Sequence, residues 1–275
     1  MNKMLVIARR EYLEVLRTKM FWLGVLLPPI LLLIGAMLCR GKHIVPTPEV
    51  LTIIGGFAYL IVMFMSVTTV SQLLVMSLIE EKSSRVVEVL LSAVSPFELM
   101  AGKILGLVAV GLTNAAVFVA ALAVFAGSTG LLKAPGVTLL TLFLAYYLLG
   151  FVMYACVFAS VGAACNTLKD AQAVMMPLTL AMILPLMLAM NVAQHPDGFW
   201  AVALSIFPPT APMFMILRIV VLPAPPWLEI VISLALLAAA APCMVWAAAK
   251  IFRTGVLLYG KAPKLGELLR WVRSS

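Results

Sequence analysis

Long apolar runs without polar alternation dominate the chain. Runs close to the roughly 20 residues that cross a bilayer as a helix fall at 20–38, 52–79, 104–126, 138–164, 173–191 and 228–251. None has the period-2 alternation of a membrane barrel, so helices must satisfy the backbone within lipid. The second and fourth runs are long enough to tilt or to reach beyond the membrane. Segments 199–207 and 212–222 are apolar but too short to span, and Pro208-Pro209-Thr210-Ala211-Pro212 between them breaks any helix. They read as a re-entrant hairpin dipping into one face over 196–226, in preference to a seventh span. The pattern therefore predicts an all-α fold, a polytopic membrane helical bundle of six transmembrane helices forming one domain over 1–275.

Shorter amphipathic stretches separate the runs. Over residues 1–19, Met4, Leu5, Ala8, Tyr12, Val15 and Leu16 recur at helical spacing while Arg9, Arg10, Glu14 and Arg17 lie largely elsewhere around the wheel. This is a helix resting at the membrane interface and anchored by its arginines. The longest charged stretch between spans begins Glu80-Glu81-Lys82-Ser83-Ser84-Arg85 and continues through Glu88 to Ser92. Glu81 and Arg85 stand at i,i+4 in the favoured order, opposite an apolar stripe of Val86, Val87, Leu90 and Leu91. One short exposed amphipathic helix is expected there. Ser95-Pro96-Phe97-Glu98 then has the form of a capping box with proline at the first helical position. Thr167 and Asp170 repeat the capping spacing before the fifth span. The tail, 253–275, ends in a basic, leucine-rich stretch with Trp271, which suits a surface-bound helix with its indole at headgroup depth.

Composition sharpens the picture. Hydrophobic residues make up 64% of the 275 and charged ones 11%, against about 25% charged in a soluble domain. A soluble enzyme is excluded. Every Lys and Arg except Arg40, Lys42, Lys133 and Arg218 falls on one side of the six-span arrangement. Positive charge marks the cytoplasm, so both termini are expected inside a prokaryotic plasma (inner) membrane. The net charge of +8 then answers to topology and anionic lipid, and nucleic acid is not needed as a partner. The first run has no small-x-small cleavage site and reads as an uncleaved span; Cys39 is preceded by Leu38, unlike a lipidated cysteine.

Candidate chemistry is sparse. Cys39, Cys156, Cys165 and Cys243 form no CxxC and read as small apolar filler. His43, Glu49, His195 and Asp197 would need two loops to converge to hold a metal, and no metal site is expected. Polar residues inside the spans include Gln72, Thr113, Asn114, Gln172 and Asn191; Gln72, Asn114, Gln172 and Asn191 are candidates for a translocation path, with interhelical hydrogen bonding the plainer role. No acid or base lies deep in a span, which weakens an ion-driven secondary transporter or stand-alone channel. Met175, Met176, Met182, Met187 and Met190 on span five suit adaptable packing between moving helices. Glu80-Glu81-x-x-x-Arg85 also has the form of the EExxxR motif of intramembrane CAAX-type proteases. That chemistry needs histidines nearby, and His43 and His195 are both expected on the opposite face.

Three stretches together resemble the permease subunit of a type-2 ABC exporter, specifically the sodium-efflux, NatB-like branch. They are Ala8-Arg9-Arg10-Glu11-Tyr12 through Lys19, Ile79 to Gly106, and Ser205 through Lys250 to Lys261. The resemblance covers nearly the whole chain. It departs between spans one and two, where about a dozen residues, Cys39 to Val50, replace the large extracytoplasmic domain usual in the branch. The resemblance implies a membrane subunit that exports substrate by alternating access. It implies ATPase coupling through the segment 80–95, with Glu80, Glu81, Lys82, Arg85, Glu88, Ser95 and Pro96 as coupling residues. No GxxxxGK[ST] occurs in the chain. ATP and Mg would thus be bound by a separate cytoplasmic ABC ATPase, and no cofactor by this chain. A second permease copy or paralogue would complete a homo- or heterodimer. No evident cation cage accompanies the sodium of the branch's name.

Overall fold

The computed structural model describes residues 3–19, 21–27, 30, 48–84, 86–129 and 136–257. It is helical almost throughout. The labelled helices are α1 (Lys3–Arg17), α2 (Pro48–Ser83), α3 (Val86–Ala93), α4 (Pro96–Thr129), α5 (Val137–Ala164), α6 (Leu168–Gln194), α7 (Phe199–Ile206), α8 (Ala211–Val221) and α9 (Trp227–Leu257). Residues 21–27 are helical too.

Five of these, α2, α4, α5, α6 and α9, are long and apolar enough to cross a membrane. They coincide with the last five expected spans. The first, 20–38, lies mostly outside the described residues, as do the tail beyond 257 and Trp271.

Helix α5 is the hub. Two-thirds (67%) of its most apolar window is buried, against 17% for α6 and 22% for α9. Tyr59 of α2 meets Phe143 of α5, Ser66 meets Tyr147, and Leu78 meets Gly162, so the two helices run parallel. Ser66 meets Asn114 and Ser77 meets Lys103, so α4 runs antiparallel to α2. Small residues permit this packing. A Cβ on Gly162 would lie 3.2 Å from the Val75 backbone, and one on Gly150 would lie 2.6 Å from Pro212.

The two short apolar segments form α7 and α8, joined by Phe207–Thr210. The turn sits partway along α5, where the Tyr154 hydroxyl donates to the Pro209 carbonyl. From there α8 runs past Gly150 and Met63 to Gly56, near the start of α2. Nearly every residue of α8 is buried.

The charged stretch after α2 departs from expectation. Instead of one helix over Glu80–Ser92, α2 continues to Ser83 and α3 begins only at Val86. The Ser83 and Ser84 hydroxyls donate back to the Glu80 carbonyl at 3.0 and 2.7 Å, competing with the ladder and closing the helix. Glu80, Glu81 and Lys82 therefore belong to the last turn of α2, and Glu81 and Lys82 are buried where exposure was expected. Both capping boxes are present. The Ser95 N–H donates to Glu98 Oε2 at 2.9 Å and the Glu98 N–H to Ser95 Oγ at 3.2 Å; the Asp170 N–H donates to Thr167 Oγ1 at 3.1 Å.

Candidate functional site

The most unusual chemistry lies where α1 crosses the end of α2 and the start of α4. Gly102 and Gly106 let α1 press directly on α4. A Cβ at 106 would stand 2.7 Å from the Ala8 carbonyl oxygen, and one at 102 would stand 3.0 Å from the Met4 carbonyl oxygen. Ile7, Tyr12, Val15 and Leu16 are half-buried and pack against the core, so α1 is a packed part of the protein as well as an amphipathic helix. Arg9, Arg10 and Arg17 keep to its exposed side.

On the packed side sits a carboxylate. Glu11 is 4% exposed and Lys103 0%. The Lys103 ammonium donates to Glu11 Oε1 at 2.7 Å and to Ser77 Oγ at 2.9 Å. It also pairs with Glu81 Oε2 at 3.0 Å. Arg10 approaches Glu81 from the solvent edge at 3.9 Å. Two acids and two bases thus form a neutral cluster binding α1, α2 and α4. Removing such charges from water costs several kcal/mol per ion, recovered only by close pairing and hydrogen bonding, and the 2.7 Å contact is of the short, charge-assisted kind.

Beside the cluster, Lys3 donates to the Ala93 carbonyl at 2.8 Å, tying α1 to the end of α3. Leu90 and Val94 pack against the core, whereas Val89 and Phe97 stand exposed. The α3–α4 elbow is therefore held from below by apolar contacts and the Ser95–Glu98 cap, with apolar side chains on its open face. Glu88 and Pro96 have described backbones but no described side chains, and Arg85 lies outside the described residues. Lys82 donates to the Ala163 carbonyl at 3.2 Å, joining the end of α2 to that of α5. Next to it, the Cys165 thiol is buried, and burial pushes its pKa up to about 11.

The four candidate path residues separate. Gln72 and Gln172 come together across a cleft of about 360 Å³ between α2 and α6, with Met76, Met175, Met176 and Thr179. Asn114 lies instead in the interior, where its amide donates to Ser66 Oγ at 2.8 Å. Ser66 in turn bonds Tyr147, whose hydroxyl donates to the Gly111 carbonyl at 2.7 Å. That is interhelical bonding. Asn191 is exposed near the far end of α6.

A second buried charge occupies the opposite end. Arg218, one of the four charges that the sequence pattern puts on the outer side, has no exposed surface. Its guanidinium donates to the Pro196 carbonyl at 2.6 Å, to Ser205 Oγ at 2.7 Å and to Glu229. It clamps α8 to α7 and to the flanks of α6 and α9. Among the described residues, no three His, Cys, Asp or Glu side chains gather as metal ligands; His43 and the Glu49 side chain lie outside them. His195 caps the far end of α6, about 40 Å of helix at 1.5 Å per residue from the end near Leu168.

Sequence reasoning missed Glu11, Lys103, Ser77 and Glu229 as site residues. One signal was present for Glu11: it stands four residues from both Ile7 and Val15, on the apolar stripe, and an acid there requires a buried base.

Residues 40–250 match the family described as "ABC-2 family transporter protein". The chain is 34% identical over 217 residues to an uncharacterized protein of Methanocaldococcus jannaschii, covering 78% of this chain and 52% of that protein. It is 32% identical over 222 residues to the uncharacterized protein YhaP of Bacillus subtilis, covering 75% and 52%. The chain spans about half the length of the curated relatives it matches.

Proposed function

Since the chain belongs to the ABC-2 transporter family, we propose that it is the permease subunit of an ABC exporter, driven by a separate cytoplasmic ATPase. The observation that carries this reading is the buried cluster of Glu11, Glu81 and Lys103. It makes α1, the end of α2 and the start of α4 one stiff unit beneath the α3–α4 elbow. A push on the elbow at Val89 and Phe97 reaches the long helices without loss in a flexible loop. ATP and Mg reside in the partner, whose closure supplies the push.

In the proposed arrangement six spans cross the inner membrane with both termini in the cytoplasm. The α7–α8 pair is a re-entrant hairpin from the outer face, clamped by Arg218. Two permease subunits, identical or paralogous, rock between access states as rigid bodies. The cleft of Gln72 and Gln172 lies on the path of the cargo, and its methionine walls suit an amphipathic molecule better than a bare cation.

The test is co-purification with an ATPase encoded beside this chain, followed by ATP hydrolysis and transport in liposomes. Glu81→Gln, which keeps the shape and leaves Lys103 its Glu11 partner, and Arg85→Glu should retain ATP hydrolysis by the complex and lose transport. Normal transport by both variants, or failure to recruit any ATPase, defeats the reading. Protease activity on a prenylated peptide, lost in Glu80→Ala, would replace it with the hydrolytic alternative.

A further inference from the structure

A second cavity, of about 220 Å³, lies beneath the turn between α7 and α8. Its walls come from four elements: Met153, Tyr154 and Phe158 of α5, Ala181 and Met182 of α6, Met244 of α9, and the turn itself. It uses a different side of α6 from the Gln172 cleft. Residues 172, 176 and 179 lie within about 60° of one another around a helix of 3.6 residues per turn, while 178 and 181 lie on roughly the opposite side and Met182 between the two groups.

The walls specify a guest. The polar groups of the turn region are already engaged, since Tyr154 donates to the Pro209 carbonyl and Thr210 to the Leu204 carbonyl at 2.6 Å. Apolar cavities of about 150 Å³ stay dry and take up benzene, so this one has room for a substituted ring. Methionine sulfurs and aromatic walls favour an aromatic guest, and methionine side chains adapt to its outline. One unpaired acceptor belongs to a residue lining the cavity. Pro185 lies within α6 and has no N–H, so the Ala181 carbonyl lacks its usual helical donor. A phenol hydroxyl supplies that donor. Ala181 is itself exposed, on one of the two least buried spans, which opens the cavity toward the membrane.

We propose that this cavity is a binding site for neutral, single-ring phenols that enter from the bilayer and rest against the α7–α8 turn. The site is independent of the ATPase, so its test is separate from that of the transport reading.

The full chain in lipid nanodiscs is photolabelled with a diazirine-bearing alkylphenol. Labelling should saturate on peptides containing 153–158 and 178–182. Excess para-ethylphenol should compete, and ethylbenzene or lauric acid should not. Ala181→Phe, which fills the cavity from α6, should lose the saturable label while keeping diffuse label on lipid-facing surfaces. Met244→Phe fills it from the opposite wall and serves the same purpose should the first variant not fold. Label that never saturates, competition by lauric acid (an acyl-chain site), competition by ethylbenzene equal to that of the phenol, or full labelling of either folded variant overturns the proposal.

Discussion

Lys103 has no exposed surface, and its charge must be matched on the spot by Glu11 and Glu81. Breaking a buried pair by removing one partner typically costs about 3–5 kcal/mol, because the other charge stays buried, whereas replacing the whole set with apolar groups is often neutral. Lys103→Met should therefore lower the melting temperature of the purified protein sharply. Glu11→Leu/Lys103→Met should recover most of the loss, since Glu81 keeps Arg10 at 3.9 Å. A double variant no more stable than Lys103→Met would contradict this account of the cluster. Cys165 offers a check on the same region. Its thiol is held near pKa 11 by burial, and only the thiolate reacts. Alkylation should be very slow at pH 7.5 and rise about tenfold per pH unit as pH climbs toward 11. Fast labelling at neutral pH, in a Cys165-only background, would show that the end of α5 is open.

At the scale of elements, the close fit of α1 on α4 rests on two glycines. Gly106→Val should push α1 away, because the nearest atoms are the Ala8 backbone and Glu11 Cβ, 2.7 and 2.8 Å from a single added carbon. The expected result is a complex that still hydrolyses ATP and no longer transports, read in the same liposomes; unaltered transport would mean α1 is only a lipid anchor. Much of this level was legible beforehand. Hydropathy located all five described long helices, proline placed the break between α7 and α8, and Ser95 and Thr167 announced their caps. The end of α2 was misread for a physical reason. Glu81 and Lys82 look solvent-seeking in one dimension, and only the approach of Lys103 and the Ala163 carbonyl allows their burial, while Glu80 stays exposed. The Arg218 clamp is not legible in the sequence: its partners Pro196, Ser205 and Glu229 are distant along the chain, so no local pattern reveals it.

For the whole molecule, the two charge clusters sit at opposite ends of the bundle, one under the elbow and one holding the short helices. Between them the described core is apolar apart from a few hydroxyls and amides, such as the bonded Ser66–Asn114–Tyr147 group and the unpaired Ser71 hydroxyl. This layout suits a stiff body moved from one end. α6 and α9 remain the least covered spans and have the most surface to offer lipid or a second subunit. The orientation is testable by single cysteines and a membrane-impermeant reagent. Positions 43, 133 and 195 should label from outside intact cells, and positions 84 and 169 only after lysis; the reverse pattern would invert the topology.

In the proposed mechanism a push on the α3–α4 elbow reaches the Gln72–Gln172 cleft through the Glu11–Glu81–Lys103 cluster. The most direct measurement is the labelling rate of Gln172→Cys in liposomes containing the permease and its ATPase, with and without ATP and Mg. ATP should change the rate several-fold in the otherwise native protein. It should leave the rate unchanged in Glu11→Leu/Lys103→Met, although the ATPase remains bound. An equal ATP response in both proteins would contradict the claim.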